Sequence, residues 1–185
     1  MSHIYVKNIN DFNDVVIDLN NINKTRKEYL EKLNTNSQKI SYYSWLLLKE
    51  KVLEVYNLDV DLLNLKYNEK GKPLFDEFYF NISHSKELIA VALSLKPIGI
   101  DIQAIEGKDV SKIAKKLELS SDDLPAFYKV FSSLEAKGKK EGNGILPSSL
   151  KNKNQEISKQ LVLTYKNYNY VLSIDCEDDD ININY

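Results

Sequence analysis

One order of elements is read twice along this chain, and that duplication limits the fold more than any single residue does. An alternating strand at residues 4–6 comes first. Residues 24–56 then read as two helices parted near Asn34-Thr35-Asn36. Residues 41–55 hold Trp45, Leu46, Leu47, Leu48, Val52 and Leu53 without Gly or Pro, the pattern of a buried helix. A strand over 63–67 runs into the turn Glu69-Lys70-Gly71-Lys72-Pro73. Strands over 79–82 and 88–95 follow, around a bend at 83–87. After Pro97 the series restarts: a strand over 98–102, helices over 109–119 and 123–141, and a hairpin of 161–165 with 170–174. The second of these helices is expected to break near Ser132 and to stop at Gly142-Asn143-Gly144. No sequence repeat accompanies the duplicated order. The expected class is α+β, with two similar halves, 1–97 and 98–185, meeting near Pro97.

A length of 185 residues with 43% hydrophobic residues suffices for one domain, or for two small halves with a shared core. The formal net charge of −2 argues against nucleic acid as a partner, so a polyanionic ligand must be held by a local basic cluster. The single cysteine, Cys176, excludes an intramolecular disulfide and a cysteine-based zinc site, and it reads as a strand residue at least half buried. No apolar run approaches the ~20 residues of a membrane span, and no apolar leader opens the chain. A soluble cytoplasmic protein is expected. Residues 147–160 are polar and lysine-rich, as in a surface loop. Asp178-Asp179-Asp180 reads as a solvated acidic tail rather than a metal site.

Three strings carry candidate chemistry. In Ile98-Gly99-Ile100-Asp101-Ile102-Gln103, period-two geometry puts Gly99, Asp101 and Gln103 on one face. A carboxylate and an amide oxygen on one face suit a hard cation such as Mg²⁺. An edge-strand aspartate facing water fits the same string. In Ser132-Ser133-Leu134-Glu135-Ala136 and on to Lys139, helical spacing stacks Glu135 and Lys139, which can hold a metal and a phosphate. A capping box from Ser132 to Glu135 and a surface ion pair between Glu135 and Lys139 are the plainer readings. In Asn81-Ile82-Ser83-His84-Ser85, the Ser83 hydroxyl and the His84 imidazole can donate to a phosphate, or can simply complete a turn. Lys70 and Lys72 add two ammonium groups nearby. His3 is given no role.

Taken together, the strings resemble the three signatures of the 4′-phosphopantetheinyl transferase superfamily. Phe80-Asn81-Ile82-Ser83-His84-Ser85 fits the first throughout. Gly99 to Gln103 fits the second, Gly-Ile/Val-Asp-x-Glu, except at Gln103. Phe131 to Lys139 fits the third except that Leu134 stands where a lysine is usual, while Gly142 and Gly144 match a Gly-x-Gly that commonly follows. Gly71-Lys72-Pro73 resembles an element preceding the first signature.

The resemblance implies the two-half, pseudo-twofold architecture of the longer, monomeric branch, similar to the enzymes that activate surfactin and other peptide synthetases. It implies a cleft site in which Asp101 and Glu135, helped by Gln103, bind Mg²⁺ or Mn²⁺. Lys139 would contact phosphate. Ser83, His84, Lys72, Lys70 and Arg26 would seat coenzyme A, with Lys27 or Lys39 as alternatives to Arg26 at its 3′-phosphate. The implied reaction moves 4′-phosphopantetheine from coenzyme A onto a serine of an apo acyl or peptidyl carrier protein. It releases 3′,5′-ADP, and the serine proton goes to Glu135 or to a metal-held water. Gln103 leaves the metal site one charge poorer, Leu134 removes a cation, and Gly138 lowers helix propensity by ~1 kcal/mol relative to Ala. These departures point to a slow or narrow enzyme, or to a relative that binds coenzyme A or a carrier without efficient transfer.

Overall fold

The computed structural model describes residues 1–12, 14–144 and 158–185. Strand β1 (Ser2–Asn8) leads to helices α1 (Lys24–Leu30) and α2 (Thr35–Tyr56) and to a two-residue pair, β2 (Lys66–Tyr67) with β3 (Pro73–Leu74). The hairpin β4 (Tyr79–Ser85) and β5 (Leu88–Ser94) follows. Then come β6 (Ile98–Ala104), α3 (Ser111–Leu117), α4 (Leu124–Glu141), the hairpin β7 (Lys159–Tyr165) and β8 (Tyr168–Cys176), and finally β9 (Ile181–Asn184).

Local signals set the helix ends. The side-chain oxygens of Asn23, Asn34 and Asp123 accept from first-turn N–H groups of α1, α2 and α4 respectively, each cap contributing about 1 kcal/mol. Gly142, at φ +71°, closes α4 in the left-handed region, where glycine has no Cβ penalty.

The two main sheets repeat one topology. In the first, β1 pairs antiparallel with β5 and β5 with β4. In the second, β6 pairs antiparallel with β8 and β8 with β7. Each time a leading strand lies beside the second strand of the later hairpin, which becomes the middle of the sheet. Strand β9 adds to the first sheet, parallel to β1.

Period-two alternation then builds four layers. Tyr5, Ile89, Val91 and Leu93 face α2 and pack with Trp45, Leu47, Leu48 and Val52. Ile4, Val6, Leu88, Ala90 and Ala92 turn the other way and meet Ile98, Ile100, Ile102, Tyr170, Leu172 and Ile174 of the second sheet. Val171, on the far side of that sheet, packs with Ala114 of α3 and Phe127 and Tyr128 of α4. Most of these side chains are fully buried, each worth roughly 1.5–3 kcal/mol in transfer free energy.

Several sequence expectations change. Strand β4 does not bend at Ser83 but continues to Ser85, because its polar residues have partners across a sheet seam described below. The strand expected over 63–67 shrinks to Lys66–Tyr67. Helix α4 is unbroken, so Ser132 lies inside it and forms no capping box; Asp123 is the cap. The loop expected over 147–160 lies outside the described residues up to position 157.

Asp178 is 9% exposed rather than solvated. It accepts from the Ser2 hydroxyl at 2.8 Å and pairs with the chain-start ammonium and with Lys96, both at 3.4 Å. The Ser2 hydroxyl foremost, with these cations, pushes its pKa down to about 2 from 3.8. Asp179 and Asp180 are exposed. Because the folded state holds the carboxylate form, this contribution is complete above pH 3.8 and drains away as pH falls to about 2. Asp178→Asn is therefore expected to lower the thermal midpoint at pH 7, with the gap to the parent closing through that acid window. Calorimetry across pH checks it; a gap independent of pH would contradict it.

Candidate active site between two sheet edges

Strands β4 and β6 are edge strands of different sheets. They do not pair through their backbones. Three β4 side chains at period two reach across instead: Asn81 Oδ1 accepts from the Ile100 N–H at 3.1 Å, Ser83 Oγ from Ile102 at 3.1 Å and Ser85 Oγ from Ala104 at 3.0 Å. Alternate β6 amides, the ones an edge strand leaves unpaired, are thereby satisfied.

The opposite face of β6 carries Gly99, Asp101 and Gln103 toward α4. The helix lies so close that a Cβ on Gly99 would sit 2.0 Å from the Ala136 carbonyl oxygen and 2.4 Å from the Lys140 nitrogen. Gly138 serves the other side of α4: a Cβ there would stand 2.4 Å from the Gly144 oxygen. Close packing, not weak helix propensity, is what this glycine provides. Ser132 points inward, donating to Ser173 Oγ at 2.6 Å or to the Asp101 carbonyl at 3.3 Å.

With α4 held there, Lys139 reaches Asp101. Its ammonium donates to Asp101 Oδ1 at 2.7 Å and to Ser83 Oγ at 2.9 Å. Ser83 donates to the same Oδ1 at 2.9 Å, and the Gln103 amide nitrogen donates to Oδ2 at 2.9 Å. Asp101 is 2% exposed, so its charge depends on these three donors. The Ser83 hydroxyl is fully engaged, giving its proton to Asp101 and accepting from Ile102 and Lys139.

Glu135 is half-buried and makes no hydrogen bond or ion pair among the described residues. The expected Glu135–Lys139 ion pair is absent there, since Lys139 turns to Asp101. Burial first, and then the Asp101 charge, push the Glu135 carboxyl up, with Lys139 opposing. A carboxylate without a partner beside a second carboxylate suits a cation. The donors at hand, Asp101, Glu135 and the Gln103 amide oxygen once rotated, are all oxygens, which suits Mg²⁺. No group of three or more His, Cys, Asp or Glu side chains set to hold a metal occurs among the described residues.

A cavity of about 420 Å³ opens beside this cluster, lined by Arg26, Tyr29, Ser41, Tyr67, Lys72 and His84 among others. A second, of about 400 Å³, shares Gly71, Lys72, Pro73, Asn81 and Ile82 with it and adds Lys70, Lys139 and the 142–144 turn. Arg26 is 6% exposed, its guanidinium against the Tyr29 and Trp45 rings at 4.9 and 4.8 Å. Nη2 donates to the Ser41 carbonyl and hydroxyl at 3.0 and 2.6 Å, whereas Nε is buried without a partner, as is the Tyr67 hydroxyl. Lys27 and Lys39 do not line this wall; Lys27 binds Asn20 and Glu31, and Lys39 lies over Tyr43. The Lys72 ammonium donates to the Lys139 and Lys140 carbonyls at 2.6 and 3.0 Å, capping α4 from outside. His84 is exposed at the mouth of the cavity, where partial desolvation by the surrounding wall and then the Lys139 charge, against Asp101, hold its pKa below the usual value. Leu134 is 8% exposed and packs inward.

The chain is 27% identical over 157 residues to 4′-phosphopantetheinyl transferase gsp of Aneurinibacillus migulanus, covering 77% of this chain and 66% of that protein. It is 32% identical over 115 residues to 4′-phosphopantetheinyl transferase Sfp of Bacillus subtilis, covering 54% and 50%. Against psf-1 of Bacillus pumilus the identity is 30% over 115 residues, covering 54% and 48%. By sequence the chain is similar to proteins named 4′-phosphopantetheinyl transferase. No family model matches it. The matches take in about half to two thirds of the length of these relatives.

Three site features lay outside the sequence reading: the Asn81–Ser83–Ser85 bridge, the Gly99 contact and the Tyr67 hydroxyl. The period-two spacing of the polar β4 residues was the available signal for the first. Ser83→Ala removes the acceptor of a buried N–H and one ligand of Asp101, and is expected to cost about 1–3 kcal/mol. Urea unfolding measures it; an unchanged midpoint would mean the bridge carries no stability.

Proposed function

We propose that the chain transfers 4′-phosphopantetheine from coenzyme A to a serine of an apo acyl or peptidyl carrier protein. The observation that carries this reading is the meeting of Asp101, Glu135 and Lys139, from β6 and α4, at the edge of a cavity lined by Arg26 and Lys72. The relatives' names give the reaction class. The duplicated sheet topology supports a pseudo-twofold pairing of halves 1–97 and 98–185, with β9 reaching back to the first.

In this reading Asp101 and Glu135, with the Gln103 amide oxygen, hold Mg²⁺, or Mn²⁺ in its place. The bound cation supplies charge neutralisation on the diphosphate. Arg26, with Tyr67 beside it, faces the 3′-phosphate. Lys70, Lys72 and His84 line the nucleotide path. Lys139 meets the phosphate that is attacked. Ser83 acts through Asp101, whose carboxylate it orients.

The carrier serine oxygen forms a bond to the β-phosphorus, the bond to the bridging oxygen breaks, and 3′,5′-ADP leaves. Glu135 takes the serine proton. The cleft aligns nucleophile and leaving group. A cytoplasmic monomer fits the reading; no helix of the described residues is long and apolar enough to cross a membrane.

Coenzyme A-dependent mass gain of an apo carrier, followed by mass spectrometry, tests it. Asp101→Ala and Glu135→Ala are each expected to lower the rate at least ~100-fold, the scale of a lost positioned charge or proton acceptor. No transfer to a broad carrier panel at saturating Mg²⁺ would refute it.

A second reading, binding of coenzyme A or a carrier without efficient transfer, is favoured by one contact: Gln103 turns its nitrogen, not its oxygen, to the carboxylate cluster. Gln103→Glu decides between them. Under the transferase reading it is expected to destabilise the metal-free fold, by setting a carboxylate against Asp101, while tightening Mg²⁺ binding and raising an already measurable rate. A parent with no rate, joined to tight coenzyme A binding by calorimetry, selects the second reading.

A further inference from the structure

Lys139 occupies a place that the metal reading needs. Its ammonium lies 2.7 Å from Asp101 Oδ1, on a carboxylate that is 2% exposed and whose other oxygen is held by Gln103. The lysine side chain itself is 28% exposed and also lines the cavity of about 400 Å³ shared with Lys70 and Lys72. It therefore has two environments within reach of one helix position: a carboxylate on one side and an open basic groove on the other. Glu135, by contrast, has no cation paired with it among the described residues.

We propose that Lys139 is the resident counter-ion of the Asp101–Glu135 pair, and that a divalent cation binding there displaces it into the groove. The inference rests on the metal reading above and adds an order to it. While Lys139 sits on Asp101, that buried charge is compensated and the Lys139 ammonium is not free for a ligand in the groove. A dication between the two carboxylates competes for Asp101 Oδ1 and repels the ammonium. Released, Lys139 joins Lys70 and Lys72 at the cavity wall, so the groove becomes more basic only once the metal is in place. Metal then binds before the polyanion, and part of its binding energy is used in breaking the Lys139–Asp101 pair. Ser83 keeps its bonds to Asp101 and to the Ile102 N–H throughout, which leaves the carboxylate oriented during the exchange.

The test uses the whole chain, labelled with ¹⁵N-lysine, and Mg²⁺ alone. The Nζ signal of Lys139, assigned through Lys139→Arg, is expected to be protected from solvent exchange in the metal-free protein and to lose that protection on Mg²⁺ saturation. In parallel, calorimetry on Lys139→Met is expected to give an Mg²⁺ dissociation constant ~10-fold lower than the parent's, because the competing charge is gone. Mg²⁺ heat from the parent with an unchanged Lys139 signal overturns the displacement and leaves the metal reading intact. No Mg²⁺ heat from the parent, at the level of Asp101→Asn, overturns both. Should Lys139→Met not fold, the signal of the parent protein still decides.

Discussion

Two sheet edges meet through side chains rather than through a ladder, and the rest of the site follows from that choice. A direct β4–β6 pairing would set the strands about 4.8 Å apart and close the molecule into one continuous sheet. Asn81, Ser83 and Ser85 satisfy the same amides across the longer span of a side chain. The seam is thus polar and complete in its hydrogen bonding, yet wide enough for side chains from both strands and from α4 to enter it. It also places a hydroxyl against Asp101 at the point where the two sheets join.

Asp101 shows how packing and electrostatics depend on each other here. Gly99 lets α4 lie directly on β6, and the approach buries the carboxylate under the helix. Burial of a charge is tolerated only with donors in place, and these come from three elements: Ser83 on β4, Gln103 on β6 and Lys139 on α4. Displacing any one of those elements leaves an acceptor short of a partner. Fold stability and site geometry therefore share the same bonds, so substitutions at Ser83 or Gly99 act on both.

The helices and most strands were legible because their signals are local. The apolar runs of α2 and β5, the Asn34 break, the Gly142 stop and the alternation of β6 each need only neighbouring residues. The misreadings share a cause, which is a distant partner. Ser83 and Ser85 look like turn residues until β6 supplies N–H groups for them, and Asp178 looks like part of a solvated tail until Ser2 and Lys96 lie beside it. Ser132 and Glu135 match a cap by spacing, but the serine bonds to Ser173, 41 positions away. In the site, Asp101, Glu135 and Lys139 were readable from type and spacing. The lysine's choice of Asp101 over its own helix neighbour was not, because it depends on the height of α4 above β6.

Three basic residues of the groove are already committed within the protein. Lys72 holds the carbonyls that end α4, Lys139 holds Asp101, and Arg26 holds Ser41 while stacking on two rings. A chain of net charge −2 that must keep several cations in one concave wall faces mutual repulsion among them. Pairing these three with local acceptors relieves it in the absence of ligand. Recognition of a polyanion under the proposed function is then an exchange of internal partners for phosphate oxygens, with a net gain smaller than the new contacts alone would give. It also gains selectivity. A single phosphate repays the loss of one internal bond at most, whereas a ligand with several phosphates, spaced to meet Arg26 at one end and Lys139 at the other, repays them together.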